Sequence, residues 1–245
     1  MPHDRKPPYD KSITLMGMSG VGKSYFSMKL AEWGWHSYSC DVEIGKDLLG
    51  VEDELQPDDI RVLMEYLGLL GDPSKGGILM DEFIKRQKFY KISEMLMLLK
   101  LAQVIDKSRN KKGIEYFVND STGSLCEITD EDVIDYVGDV TKIVYIKASG
   151  EEEAELLQRA QDYPKPIYYP PEFFQGWVEQ YLSEQGLSDV SKMDPQGFAR
   201  WVFPLLLESR KPKYQAIADK HGITITSAQL QACETEAQFK ELVGL

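Results

Sequence analysis

The chain has 245 residues, a formal net charge of −12, 42% hydrophobic and 28% charged residues, values ordinary for one α/β domain with elaborations. That acidity excludes a broad nucleic-acid-binding face, and the short basic run Lys85-Arg86-Gln87-Lys88 reads as one solvated helix face. The longest apolar run, Met95 to Leu99, is far too short for a membrane span, and the three cysteines (Cys40, Cys126, Cys233), without ligand spacing, fit a reducing, cytoplasmic setting.

Met1 to Asp10 is polar and proline-bearing, and reads as a flexible tail rather than an export signal, leaving residues 11–245 as a single domain. Ser12 to Met16 then reads as a short buried strand. Gly17-Met18-Ser19-Gly20-Val21-Gly22-Lys23-Ser24 fits G-x-x-x-x-G-K-[ST], and Tyr25 to Ala31 starts a helix. A strand, a glycine turn and a helix start build an anion site from backbone alone, because successive N–H groups converge and the helix N-terminus adds partial positive charge. The pattern predicts a nucleotide site in which Gly17, Ser19, Gly20, Val21, Gly22, Lys23, Ser24 and Tyr25 contact ATP. Lys23 reaches the outer phosphates and the Ser24 hydroxyl ligates Mg²⁺.

Trp35 to Cys40 reads as a second strand, ending at Asp41-Val42-Glu43. Acids just past a strand end lie on the rim where open α/β sheets bind ligands, so Asp41 and Glu43 either meet a substrate hydroxyl or Mg²⁺, or cap the next helix. Residues 50–81 read as an insertion with a short helix, Asp58 to Leu69, and a Gly/Pro/Ser-rich turn, Gly71 to Gly77. One long helix is predicted from Asp81 to Lys107, with Phe83, Ile84, Tyr90, Met95, Leu98, Leu99 and Ala102 at helical spacing.

Gly113 to Val118 is a third strand, closing on Asn119-Asp120-Ser121-Thr122-Gly123. Asp120, an acid at the end of an apolar strand downstream of a phosphate loop, either helps hold Mg²⁺ or opens the turn that Gly123 completes. Ile143 to Lys147 is a fourth strand. The helix after it is opened by Ser149, carries Glu151, Glu152 and Glu153 in its first turn and has Arg159 near its end. Tyr163 to Pro171 is too proline-rich for helix or central strand. Residues 160–204 read as a mobile lid or cap, whose rings Phe173, Phe174, Trp177 and Tyr181 either stack on a ligand or pack the cap to the body. Leu205 to Lys220 is a helix, Ile223 to Thr226 a fifth strand and Glu234 to Leu245 a last helix. Strands alternating with helices predict a three-layer α/β/α P-loop NTPase fold around a five-stranded parallel sheet.

These landmarks resemble shikimate kinase and its relatives among small P-loop kinases. Gly17 to Ser24 matches the family's loop, and Asp41, with Ile44 after it, falls where the family places the acid facing the substrate hydroxyl. Tyr90-Lys91-Ile92-Ser93-Glu94 is similar to the Phe-Arg-x-x-Glu signature, and Ser121-Thr122-Gly123 sits where a strand is followed by a glycine triplet. Lys165-Pro166 falls at the lid's Arg-Pro. Arg210-Lys211-Pro212-Lys213-Tyr214, with Ala218 beyond, is similar to Arg-x-Pro-x-Tyr-x-x-x-Ala. Ser39 stands where the family has a second acid, only one glycine of the triplet is kept, and Lys91 and Lys165 replace arginines, trading a planar fork for a point charge.

The resemblance implies ATP- and Mg²⁺-dependent phosphoryl transfer to a hydroxyl of a small, anionic molecule other than shikimate, by a monomer or weak homodimer without nucleic-acid or membrane partners. Ser24 binds Mg²⁺, with Asp120 or a water held by Ser39 completing the site. Asp41 orients the acceptor hydroxyl. Lys91 and Arg210 hold the acceptor's negative group, with Thr122 and Gly123 beside it. Lys165 neutralises charge on the transferring phosphoryl, and Arg159 lies against adenine. The alternative is a nucleotide-dependent regulatory module without a small-molecule acceptor.

Overall fold

The computed structural model of the protein describes residues 9–50 and 61–245. A short 3₁₀ turn at Tyr9–Lys11 leads into β1 (Ser12–Met16), whose five residues are all buried. Tyr9 itself packs on the core, so the expected tail is shorter than residues 1–10, and residues 1–8 lie outside the described residues. The glycine loop feeds α1 (Lys23–Glu32), then β2 (His36–Ser39) and α2 (Cys40–Leu49), which Ser39 caps by accepting from the Val42 N–H. Of the insertion, the described part is α3 (Arg61–Leu67) and two very short parallel strands, β3 (Leu69–Leu70) and β4 (Gly77–Ile78); Asp58 to Ile60, the expected start of its helix, fall outside.

The single long helix expected from Asp81 to Lys107 is two, α4 (Met80–Leu99) and α5 (Leu101–Lys112), joined at Lys100. No proline or glycine marks that junction; periodicity alone does not show where packing turns a helix. β5 (Phe117–Asp120), α6 (Glu131–Val140), β6 (Lys142–Lys147) and α7 (Gly150–Asp162) follow, α7 opened by the capping box of Ser149 and Glu152.

The segment read as a mobile cap is helical and cored. It contains α8 (Pro171–Glu184) and the start of α9 (Pro195–His221), and Phe174, Tyr181 and Phe198 are buried in one aromatic cluster with Phe83 and Tyr169. Phe174 and Tyr181 bind cap to body, whereas Phe173 is exposed and stacks on Trp177. α9 runs through Pro204 and Pro212, although an interior proline removes a helix hydrogen bond at a cost of about 3 kcal/mol. Burial of Phe198, Val202, Leu206, Leu207 and Tyr214 along the same helix offsets that cost, which is why the expected start at Leu205 is ten residues late. β7 (Gly222–Thr226), α10 (Ser227–Gln231) and α11 (Glu236–Val243) complete the fold.

The five long strands form one parallel sheet in the order β2-β5-β1-β6-β7, so β1, which launches the glycine loop, is central. One face is covered by α1, α10 and α11 through Phe26, Leu30, Leu230 and Phe239, the other by α4, α5, α6 and α9. This is a three-layer α/β/α P-loop fold. A polar chain runs through the apolar interior: Cys40 Sγ donates to Asn119 Oδ1 (3.1 Å), Asn119 Nδ2 to Thr14 Oγ1 (3.1 Å), Thr14 bonds Thr141 Oγ1 (2.7 Å), and Thr141 donates to the Val137 carbonyl. Every member has its partner, the condition under which buried polarity costs little. Thr14 pairs with Asn119 and Leu15 with Asp120, which sets Asp120 at the C-terminal rim of the sheet.

Candidate functional site

The glycine loop closes on itself at the rim. Gly20 (φ 88°) and Gly22 (φ 101°) are left-handed, and a Cβ on Gly17 would sit 2.7 Å from the Ile146 carbonyl oxygen. Gly22 is the N-cap of α1 and offers no side chain, leaving the helix's first N–H groups free for an anion. Lys23 is buried and folds back over the loop, donating to the carbonyls of Gly17 (2.8 Å) and Met18 (3.1 Å). Burial pulls its pKa down, while the charges of Asp120 and Asp41 work in the opposite direction. An ammonium held this way is poised to exchange carbonyls for phosphate oxygens.

Two carboxylates face this lysine. Asp120 ends β5 and is buried; its pKa is raised by that burial, against the pull of Lys23 and of a hydrogen bond from Ser24. Among the described residues its Oδ1 has no hydrogen-bond partner. An orphaned buried carboxylate oxygen beside a serine hydroxyl, at the mouth of a phosphate loop, fits the oxygen donor set of Mg²⁺. Asp41 sits in the first turn of α2, half-buried, its pKa pushed up to about 7 by burial first and by Asp120 second, with Lys23 opposing and Glu94 adding. A carboxyl poised near neutrality suits proton acceptance from a hydroxyl. Glu43, its neighbour on the rim, is paired with Lys46 (3.0 Å). Ser39 is occupied as the α2 cap.

A cavity opens from Asp41, walled by Ser19, Gly123, Ser124, Tyr90, Tyr168 and Arg210, with Lys165 at its edge. A second hollow, between Gly20, Leu156, Arg159 and Phe203, shares Ser19 and Lys165 with the first. Ser19 and Lys165 therefore line both hollows. Lys165 is exposed, and its segment is anchored just beyond it: Tyr169 N donates to Gln87 Oε1 (2.9 Å), Gln87 Nε2 to the Ile167 carbonyl (3.2 Å) and Arg210 Nη2 to the Tyr168 carbonyl (2.9 Å). Arg159 is exposed beside Gly20, its Nε on the Glu155 carbonyl. Tyr25 projects into solvent from the first turn of α1.

The structure separates residues that the sequence places together. Arg210 is on the cavity wall, but Lys91 is not. Lys91 Nζ donates to Glu94 Oε2 (2.7 Å) and to the Ser124 carbonyl (3.1 Å), and lies over the Tyr168 ring facing a groove behind the cavity. Thr122 is buried with its hydroxyl donated to Glu94, so it supports the wall and offers no side-chain contact. Gly123 touches the glycine loop itself: a Cβ there would lie 3.1 Å from the Ser19 nitrogen.

Two acids escaped the sequence reading as site residues. Glu94 is buried and collects Thr122, Ser124 and Lys91. Glu127 is buried and binds Arg210 Nε (3.0 Å) and Lys213 Nζ (2.5 Å). The signal for Glu127 was a lone charge inside the apolar run Leu125-Cys126-Glu127-Ile128, since a carboxylate is almost never fully buried unless paired.

No protein-family model matches the chain, and no curated protein is significantly similar to it. Among solved structures it is similar to a shikimate kinase from Acinetobacter baumannii in complex with shikimate, at 16% identity and a TM-score of 0.47 over 96% of this chain and 89% of that one. A shikimate kinase from Bacteroides thetaiotaomicron aligns at 15% identity, TM-score 0.48, over 96% and 98% of the two chains. A gluconokinase from Sinorhizobium meliloti 1021 aligns at 16% identity, TM-score 0.32, over 86% and 95%.

Proposed function

We propose that the chain transfers the γ-phosphoryl group of ATP to a hydroxyl of a small molecule bound between Asp41 and Arg210. The observation that carries this reading is Asp41, a carboxyl poised near pH 7 at the mouth of a cavity that shares Ser19 and Lys165 with the nucleotide side. Phosphoryl transfer asks a protein for alignment and charge stabilisation more than for covalent help. Gly17, Gly20, Gly22 and Lys23 cradle the β- and γ-phosphates. Ser24 and Asp120 hold Mg²⁺, which when bound neutralises phosphate charge. Asp41 takes the hydroxyl proton, and Lys165 meets the charge that grows between the two sides.

Arg210 gives the acceptor an electrostatic handle. Its Nε and Nη2 are committed to Glu127 and the Tyr168 carbonyl, while among the described residues Nη1 has only the Met18 thioether at 3.9 Å. With Lys165 it favours an acceptor carrying a carboxylate or phosphate. A screen of hydroxy acids, sugar acids, sugars and polyols by ADP release tests this: one acceptor should lift turnover well above basal hydrolysis, and Asp41→Asn should remove the increment while leaving Mg·ATP affinity intact. A screen in which every acceptor is inert, with ATP binding still dependent on Lys23, favours a regulatory ATPase instead.

A further inference from the structure

Helix α4 has two unlike faces. Phe83, Tyr90, Glu94, Met97 and Leu98 turn inward and are buried. On the outer face, every exposed position from Phe89 to Leu99 is apolar: Phe89, Ile92, Leu96 and Leu99 leave 47, 54, 45 and 48% of their surface to solvent. Scattered single apolar residues are normal on a surface, but an unbroken stripe with no exposed charge inside it marks an interaction site.

The spacing says what fits it. The four residues are separated by three, four and three positions, the repeat of a coiled-coil seam, and that order reads the same in both directions. A stripe with this symmetry is self-complementary. Turned by a two-fold axis through the middle of the helix, Phe89 meets the partner's Leu99 and Ile92 meets the partner's Leu96, and each contact occurs twice, as an isologous interface requires. The antiparallel arrangement opposes the two helix dipoles favourably, while the exposed Lys88 comes opposite the partner's Lys100 at each end of the seam, a like-charge contact that weakens the pairing. Ile92 is at the same time a lip of the apolar groove between α4 and α8, floored by Phe174, Val178 and Leu182, so the seam continues into a second apolar surface.

We propose that two copies of this chain associate about a two-fold axis through α4, with Phe89, Ile92, Leu96 and Leu99 as the seam. The seam spans eleven residues, about 15 Å of helix, which is short for an interface of the roughly 1,200–2,000 Å² that stable complexes bury, so the dimer is a reversible one. The inference stands apart from the phosphoryl-transfer reading, because no seam residue lines either side of the transfer site.

Sedimentation velocity of the full chain from about 1 to 200 µM should show a reversible monomer–dimer equilibrium. Leu96→Lys, which two-fold symmetry places in the seam twice, should weaken it about a hundredfold or more, with melting temperature and Mg·ATP affinity unchanged. Ile92→Lys should do the same. An Ile92→Cys chain mixed with a Leu96→Cys chain should form a disulfide-linked heterodimer on mild oxidation, since Cys40, Cys126 and Cys233 are buried. A monomer at every concentration, a dimer indifferent to both lysine variants, or a monomer that instead binds phosphatidylserine vesicles through these residues would overturn the proposal.

Discussion

Glu127 and Arg210 form a buried ion pair, Oε1 to Nε at 3.0 Å, with each side chain no more than 2% exposed. The pair is asymmetric. Glu127 has a second cation in Lys213, whereas Arg210 has no other carboxylate among the described residues and relies beyond it on the Tyr168 carbonyl and a thioether. Glu127→Ala therefore strands a buried guanidinium and should cost about 3–5 kcal/mol in denaturant unfolding. Glu127→Gln, which keeps an acceptor for Nε, should cost visibly less.

Asp41 sets the pH behaviour. Its carboxyl titrates near 7 in the fold and near the ordinary aspartate value of about 3.9 when unfolded, so between about pH 4 and 7 the folded chain holds more protons than the unfolded one. Stability contributed by this group is present at acid pH and lost as pH rises through 7. Asp41→Asn should melt above wild type at pH 8, with the gap closing towards pH 4. Activity should run the other way: kcat/KM of wild type should fall tenfold per unit below about pH 7, and the variant should lose that limb together with most of kcat.

Gly123 abuts the glycine loop. Gly123→Ala puts a methyl group 3.1 Å from the Ser19 nitrogen and pushes the loop outward, in a residue whose own backbone any amino acid tolerates. Mg·ATP affinity measured by calorimetry should drop about tenfold, equivalent to about 1.4 kcal/mol, with the melting temperature almost unmoved.

Lys91 separates support from recognition. It neutralises Glu94 from outside the cavity that opens at Asp41. Lys91→Met should lower stability by about 1–3 kcal/mol, leaving Glu94 with its two hydroxyl donors, while the acceptor KM stays within about twofold. Arg210→Ala should raise that KM strongly. A matching rise in Lys91→Met would return Lys91 to the acceptor side.

Much of this architecture was readable from residues adjacent in the chain. The glycine loop, the capping serine at Ser149 and the strands ending near Asp41 and Asp120 are local patterns, and the structure has them within a few positions. What was not readable depended on partners distant in sequence. Nothing near Lys91 says that its ammonium turns towards the Ser124 carbonyl, and nothing near Arg210 names Glu127, 83 residues earlier. The break at Lys100 and the continuation of α9 through Pro204 are likewise decisions of packing, which overrule the local signals for helix length. Resemblance to Phe-Arg-x-x-Glu aligned Lys91 with an arginine, but alignment carries a position and not a direction.

The buried relay from Cys40 through Asn119, Thr14 and Thr141 to the Val137 carbonyl has a consequence for how the sheet assembles. Strands apolar on both sides have little to tell one alignment from the next, since valine beside isoleucine is as comfortable as the reverse. Here a slip of a single residue would leave an amide, two hydroxyls and a thiol without mates in a dry interior. The relay thus works as a ruler, and the carboxylate one step beyond Asn119 arrives at the mouth of the loop because misaligned versions of the sheet are too costly to persist.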